Sequence, residues 1–406
     1  MKTPLAWLNL LHDKTRALVA VAGVAFAVVL VLMQLGFYDS AKRTATQVYE
    51  RLDFDVVMVS KKYLYFSKSG TFPRRRLIQA LSDDDVKSVQ PLYLGFNLWL
   101  NARRGEGNAK PLRRLIFVIG QNLTDDVFKP SDDAHKDVQG KRQRLRPPGN
   151  VLMDQLSGAQ FGDWKDNDEL EIGGRHVHIA DTFEMGMGFS ADGDVIVGSE
   201  TFQRLFPYRS LNEVSLGLVK LKSPDKAAQV VARLRRLLQR DEGQGPPPED
   251  VDLRKLPTDD VEVFTRADID AKDRDHWINK TSVGVIFELG VAVGFIVGTA
   301  IVYQVLSSDI ANHIREYATL KAMGYSRGYL ALVVLKQAWI LALVGFVPGW
   351  ILSWGLYTIT SKVAHIQMVL TWPLSLGVWA MTFVMCSLSG LAALRKVTSA
   401  DPADLF

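Results

Sequence analysis

Four long hydrophobic runs stand out against a chain whose remaining residues mix apolar and polar positions. The runs occupy residues 17–37, 281–306, 330–357 and 372–394. A helix rises about 1.5 Å per residue, so about 20 apolar residues cross a hydrocarbon core of roughly 30 Å. The pattern therefore predicts four membrane-spanning helices, with a short loop at residues 358–371 between the third and the fourth.

The loop at residues 307–329 is a long polar segment enclosed by the second and third runs. Ile310 and Ile314 recur at helical spacing with polar residues between them, which predicts a short amphipathic helix. Asp309 or Ser308 is placed to cap its start, and Gly324 is placed to end it in the left-handed conformation. On periodicity alone this helix is an ordinary interfacial turn or a docking element.

Residues 38–280 form a large segment with the alternation of strands and helices typical of an α+β domain. Within it the pattern predicts a strand over Val86–Asn101 and a hairpin whose tight turn is formed by Gly173 and Gly174. A patch rich in proline, glycine and charge begins at Lys129 and suggests a boundary. We expect one module at residues 53–128 and 213–265, with a mainly β insertion at 129–212 between its halves. Both ends of the large segment lack helix breakers, which predicts a helical stalk. The predicted fold class is a four-span helical membrane domain plus an α+β domain.

Composition and charge exclude several classes of protein. The net charge is +4, and basic patches alternate with acidic ones, so no nucleic-acid partner is expected. The single cysteine, Cys386, rules out a disulfide within the chain. Residues 1–16 resemble an interfacial helix, and the run after them is too long for the core of a cleaved signal peptide.

Basic residues near the ends of the runs predict the orientation in the membrane, because they favour the cytoplasmic side. They cluster before the first run, in the 307–329 loop and in the tail at 395–406, whereas Lys362 alone lies in the 358–371 loop. We therefore expect both termini and the 307–329 loop in the cytoplasm of a bacterial inner membrane. Residues 38–280 are then periplasmic.

Motifs for chemistry are few. The sequence has no G-x-x-x-x-G-K-[ST] phosphate loop and no constellation typical of a catalytic site, so we predict that it is not an enzyme. His176 and His178 share one strand face but are too few for a metal site.

Two features of the second run predict how the spans pack. Gly290, Gly294 and Gly298 form a stripe that lets another helix approach closely. Glu288, near the end of the same run, is either a functional intramembrane acid or an interfacial group that reaches water.

The whole chain resembles the FtsX-like permease family, which includes MacB-type and LolC-type proteins, and within it the DevC-type permeases. The stretches that carry the resemblance are WLNLLHDKTRALVAVAGVAFAVVLVLMQLGF, REYATLKAMGYSRGYL, LVGFVPGW and SGLAALRKVTSADPADLF. The resemblance implies a MacB-like periplasmic module carried on four spans. It also implies that the loop helix at residues 310–324 couples the permease to an ATPase. The residues expected at that contact are Ile314, Arg315, Glu316, Leu320, Lys321, Met323 and Gly324.

The same resemblance implies a set of partners and a function. The expected partners are a second copy of the chain packed near the glycine stripe, a separate ABC ATPase that holds ATP and magnesium, a HlyD-like membrane-fusion protein, a TolC-like outer-membrane channel and membrane lipids. No cofactor is expected on this chain. The implied function is the permease of a tripartite exporter that passes movement from the ATPase to the periplasmic module. The alternatives are a signalling protein of the FtsX type and a LolC-like lipoprotein-release permease.

Overall fold

A computed structural model describes residues 14–101, 112–157, 161, 164, 168–186, 191–239, 260–314, 316, 319, 323–364 and 368–399. The chain divides into two compact units. The membrane unit consists of Met1–Ser40 and Ser282–Phe406, and the sheet unit of Ala41–Thr281. The predicted interfacial helix lies almost entirely outside the described residues.

The described helices are α1 (Lys14–Arg51), α2 (Arg75–Ala80), α3 (Val138–Lys141), α4 (Ser199–Leu205), α5 (Ala227–Gln239), α6 (Arg266–Asp275), α7 (Ser282–Asn312), α8 (Arg327–Ala364) and α9 (Trp372–Ser399). A five-residue π-helix, His276–Lys280, follows α6. Four helices, α1, α7, α8 and α9, are long and apolar enough to cross a membrane. They extend beyond the hydrophobic runs because polar residues continue the helical backbone past the apolar stretch. The predicted four-span class is confirmed.

The described strands are β1 (Val56–Ser60), β2 (Phe72–Pro73), β3 (Val86–Asn101), β4 (Leu112–Gln121), β5 (Asn150–Asp154), β6 (Glu169–Ile172), β7 (Arg175–Phe183), β8 (Asp194–Gly198), β9 (Glu213–Val214), β10 (Leu216–Leu221) and β11 (Val261–Thr265). Nine of them form one mixed sheet in the order β11-β1-β10-β3-β4-β8-β5-β7-β6, and β2 pairs with β9 separately. The α+β class predicted for this segment is confirmed.

The sheet curls back on itself. The far end of β3 pairs with the edge strand β6 through Trp99 opposite Ile172, so six strands from β3 to β6 enclose a core. Trp99 and Phe161 are fully buried there with their rings 5.8 Å apart. Closure removes an exposed strand edge, which is otherwise a site of unwanted pairing.

The patch that begins at Lys129 does not separate two sheets. Strands before it and after it, such as β4 and β8, pair in parallel within the same sheet. The strand β5 directly follows the patch, and the sequence analysis did not predict it. The patch is instead a covering connection, because Val138 and Leu145 bury their side chains in the core on one face of the sheet.

Candidate functional site

The loop between α7 and α8 is where the coupling helix was predicted. Neither Asp309 nor Ser308 caps a new helix there, which corrects the prediction, because α7 continues through Asn312. The carbonyl of Asp309 accepts a hydrogen bond from the His313 amide at 3.2 Å, as in a continuing helix. Ile310 is fully buried in the core of the membrane unit. The polar turn is therefore anchored on the end of a spanning helix.

The described residues of this loop present a mixed polar and apolar surface. Glu316 is exposed and Ile314 is half-buried. Met323 is 62% exposed, and the rings of Tyr325 and Tyr329 pack 4.8 Å apart beside it. Three further predicted contact residues lie outside the described part of the chain: Arg315, Leu320 and Lys321. An exposed methionine with two aromatic rings and a carboxylate is suited to a protein contact.

Glycine and serine set the geometry at the end of this loop. Gly324 has a φ of 89°, the left-handed conformation that was predicted for it. Ser326 then starts α8, since both its carbonyl and its hydroxyl accept from the Tyr329 amide, at 3.0 and 3.3 Å. The turn is thus fixed by backbone geometry at one end.

The glycine stripe of α7 lies against the chain's own first helix. A side chain at Gly294 would contact Val31, and one at Gly298 would meet the Sδ of Met385 in α9 and lie 2.6 Å from the Cβ of Ala27. Gly290 faces Gln34 in the same way. These contacts place α1 on the glycine face of α7, so a second copy of the chain would need another surface or a rearrangement.

A second helix, α8, also approaches α1 closely, and this contact was not predicted from the sequence. A Cβ at Gly345 would lie 2.6 Å from Val24, and one at Gly349 would lie 2.8 Å from Val28 and from the carbonyl of Ala25. Only a helix without side chains at these positions can come so near. Glycines from α7 and α8 therefore hold α1 on two adjacent faces.

Glu288 is exposed, and its carboxylate accepts a hydrogen bond from the hydroxyl of Tyr38 at 3.3 Å. Phe37 and Phe287 stack beside this pair with ring centroids 5.8 Å apart. The pair joins α1 to α7 where both helices leave their most apolar stretch. This geometry supports an interfacial role for Glu288.

The sheet unit contains a buried carboxylate that sequence reasoning missed. Asp273 of α6 accepts hydrogen bonds from the hydroxyls of Tyr49 and Tyr63, at 3.0 and 2.8 Å, and from the Phe66 amide at 3.1 Å. Burial raises the pKa of Asp273 to about 7, although these hydrogen bonds oppose the shift. A charge-bearing residue thus ties the last turns of α1 to α6 inside the sheet unit.

Arg266 reinforces the same junction between α1 and α6. Arg266, at the start of α6, donates to the backbone carbonyls of Tyr49, Leu52 and Phe54, the last two at 3.3 and 3.2 Å. Its guanidinium lies over the Phe54 ring at 4.8 Å. The predicted stalk ends, at the end of α1 and in α6, therefore pack together within the sheet unit.

A pair of buried acids, Asp154 and Asp194, lies in the curled part of the sheet. Asp154 accepts backbone hydrogen bonds from Leu156, Met185 and Gly186, at 3.0, 3.2 and 2.5 Å. Burial and the neighbouring charge of Asp154 raise the pKa of Asp194 well above its usual value. We assign the proton to Asp194, because three amides stabilise the charged form of Asp154.

No metal centre is found in the part of the chain that the structure describes, where His, Cys, Asp and Glu form no group of three or more. His176 and His178 are exposed on β7, and His176 lies 3.6 Å from Glu169 across the hairpin. Gly173 and Gly174 form the predicted tight turn with φ values of 58° and 75°. This face of the hairpin is a solvated strand face.

Comparison with known proteins identifies two protein families that match parts of the chain. Residues 17–237 match the MacB-like periplasmic core domain, and residues 289–402 match the FtsX-like permease C-terminal region. A probable export ATP-binding/permease protein MacB of Pseudomonas entomophila (strain L48) is 21% identical over 433 aligned positions. That alignment covers 98% of this chain and 58% of the relative, so the chain spans little more than half of the relative's length.

Two solved structures are also similar. The extracellular domain of the ABC-type transporter YknZ from Gram-positive bacteria matches with 13% identity and a TM-score of 0.33, covering 51% of this chain and all of that one. The periplasmic region of MacB from Actinobacillus actinomycetemcomitans matches with 10% identity and a TM-score of 0.34, covering 56% and 96%. Because the match to the MacB-like periplasmic core domain takes in more than half of the chain, the protein belongs to the family of permeases that carry this domain.

Proposed function

We propose that this chain is the permease subunit of a tripartite ABC exporter of the DevC type. In this proposal two copies work with a separate ABC ATPase, a HlyD-like membrane-fusion protein and a TolC-like outer-membrane channel. ATP and magnesium bind on the ATPase. Support comes from the relative in Pseudomonas entomophila, whose name joins export, ATP binding and permease function.

The observation that carries the proposal is the double glycine contact on α1. The two helices that hold α1, α7 and α8, are the two joined by the 307–329 loop. A displacement of that loop would move α7 or α8. We expect α1 to move together with the helix that moves, because closely packed interiors do not deform continuously.

The route to the sheet unit runs through chain continuity. α1 is one helix from Lys14 to Arg51, and its last turns are hydrogen-bonded to α6 through Tyr49 and Asp273. The π-helix at His276–Lys280 and Thr281 then lead from α6 into α7. We infer that α1 and the α6–α7 connection carry movement from a cytoplasmic ATPase to the periplasmic domain.

Charge reversal in the loop tests the proposal. The tagged full-length chain is purified from its own host, and ATP hydrolysis by the copurified ATPase is measured in lipid nanodiscs. We expect Glu316→Lys to lower the stimulated rate at least tenfold, because an exposed contact would meet a charge of the wrong sign. The matched control is Glu200→Lys, which changes an exposed glutamate in the sheet unit.

A second variant tests the loop independently of whether Glu316 itself touches the ATPase. Gly324→Trp places a large side chain at a position with nothing within 4 Å, in a backbone conformation that favours glycine. Copurification of no ATPase, or unchanged stimulation in both variants, contradicts the proposal.

A further inference from the structure

A cavity of about 660 Å³ lies in the sheet unit, next to the end of β1. Most of its wall is the segment from Ser60 to Pro73, which leaves β1 and returns as β2. Three lysines of this segment line the cavity: Lys61, Lys62 and Lys68. Hydroxyl groups alternate with them, from Ser60, Ser67, Ser69 and Thr71. The wall is therefore rich in hydrogen-bond donors.

Backbone contacts fix the shape of this segment. The Leu64 amide donates to the Lys68 carbonyl at 3.1 Å, and the Lys68 amide donates to the Tyr65 carbonyl at 2.8 Å. Gly70 has a φ of 65°, and a side chain there would lie 3.2 Å from the Cβ of Ser60. Glycine thus lets the segment fold back closely on the end of β1, which brings Lys62 and Lys68 to one cavity.

Arg209, from outside this segment, adds a further positive charge to the lining. Its guanidinium donates to the carbonyl of Leu94, and to the hydroxyl of Ser215 at 3.1 Å, and both acceptors are uncharged. Burial lowers the pKa of this guanidinium, while the charge of Glu213 opposes the shift. The hydrogen-bond partners of Arg209 are neutral, and Glu213 supplies a nearby negative charge, so Arg209 is a partly compensated cation of the lining.

Among the described residues, fewer carboxylates than basic side chains line the cavity. The described acids are Glu213 and Asp260, and the described bases are Lys61, Lys62, Lys68 and Arg209. Asp260 already forms a buried ion pair with Arg76 at 3.1 Å. The described residues of the lining therefore carry more positive than negative charge.

We propose that this cavity binds a phosphate group, presented either by a soluble phosphate monoester or by the headgroup of a phospholipid. A phosphate offers several acceptor oxygens in a tetrahedral arrangement, which lysine ammonium groups, hydroxyls and an arginine can reach from different parts of the lining. The proposal concerns the sheet unit alone and does not depend on the proposed exporter function.

Calorimetric titration of the full-length chain in dodecyl maltoside tests it. One probe is glycerol 3-phosphate, and the other is dihexanoyl phosphatidylglycerol below its micelle concentration. We expect the double variant Lys62→Glu/Lys68→Glu to weaken binding at least tenfold, and the charge-neutral Lys62→Gln/Lys68→Gln to weaken it less. The control is Lys87→Glu/Lys222→Glu, which makes the same change of charge at exposed lysines outside the cavity.

The two probes separate the sources of the phosphate. Binding of glycerol 3-phosphate that only the cavity variants weaken identifies a soluble ester. Binding of the lipid alone, with the same dependence on variants, identifies a headgroup. The proposal is overturned if neither probe binds, or if the control variant weakens binding as much as the cavity variants. No ATPase is present in this assay, so its failure leaves the exporter proposal standing.

Discussion

The membrane unit and the sheet unit bury different kinds of polar group. Among the described residues, the buried polar side chains of the membrane unit are hydroxyls and one amide. Several hydroxyls bond to a carbonyl of their own helix, as Ser353 does to Gly349 at 2.7 Å and Thr382 does to Val378 at 2.8 Å. The sheet unit also buries hydroxyls and amides, but it buries carboxylates in addition, among them Asp154, Asp194 and Asp273.

This difference separates what stabilises each unit. Hydroxyls that bond within one helix do not join it to another helix. The stability of the membrane unit therefore depends on the glycine positions at which helices pack closely. Buried carboxylates are costly unless protonated or fully hydrogen-bonded, so the sheet unit depends on protonation. We therefore expect the membrane unit to respond to the size of a side chain and the sheet unit to respond to pH.

The largest expected effect is the pH dependence of the sheet unit. The pKa of Asp273 is about 7 in the folded protein against a usual value of 3.8, so between these pH values the folded state holds a proton that the unfolded state has released. The contribution of Asp273 to the free energy of unfolding is therefore fully present below about pH 4 and is lost as pH rises through 7. The loss is at most about 4 kcal/mol. Chemical denaturation of the full-length chain, followed by far-UV circular dichroism from pH 4 to 8, measures it.

Asp273→Asn is the variant that isolates this contribution. The amide keeps nearly the same shape and cannot ionise, so the fall in stability between pH 4 and 7 should become shallower. Asp194 contributes a fall in the same direction, because its pKa is also raised, and should leave a residual slope. An unchanged slope in Asp273→Asn would show that this carboxyl group is not the one that titrates.

A smaller effect is expected from added volume in the membrane unit. Gly298→Ala would bring a Cβ to 2.6 Å from that of Ala27 and should cost about 1–3 kcal/mol, as overpacked cores do. The matched control is Gly355→Ala, where nothing lies within 4 Å of the added carbon and the helix gains propensity.

The melting temperature in detergent, followed by size-exclusion chromatography after heating, compares the two alanine variants. We expect only Gly298→Ala to melt at a lower temperature, by several degrees. Equal melting temperatures of the two alanine variants would contradict the expected sensitivity of the membrane unit to side-chain size. A difference between their melting temperatures that varied strongly with pH would contradict the contrast between the two units.

Local patterns allowed much of the fold to be predicted. The strand predicted over Val86–Asn101 has those bounds in the structure, and the hairpin at Gly173 and Gly174 was found from its turn residues. The four spanning helices followed from length and hydropathy. These features depend on residues that are close together in the sequence, where side-chain periodicity and turn geometry act directly.

What was missed depends on pairs that are distant in the sequence. Tyr49, Tyr63 and Asp273 meet only after the sheet has formed, and nothing near any one of them indicates the others. The closure of β3 on β6 through Trp99 and the contact of Gly345 with Val24 are of the same kind. Two neighbouring glycine positions in the third run, Gly345 and Gly349, were the available signal for the second helix contact on α1.

The most direct test of the central claim is the side of the membrane from which the 307–329 loop can be reached. Cys386 is fully buried, so Glu316→Cys adds a single accessible thiol, and the unmodified chain serves as the background control. A membrane-impermeant maleimide is applied to spheroplasts and to inverted inner-membrane vesicles. The account predicts labelling of Glu316→Cys in inverted vesicles only. Labelling in spheroplasts alone would place the loop outside the cytoplasm, where no ATPase could drive it.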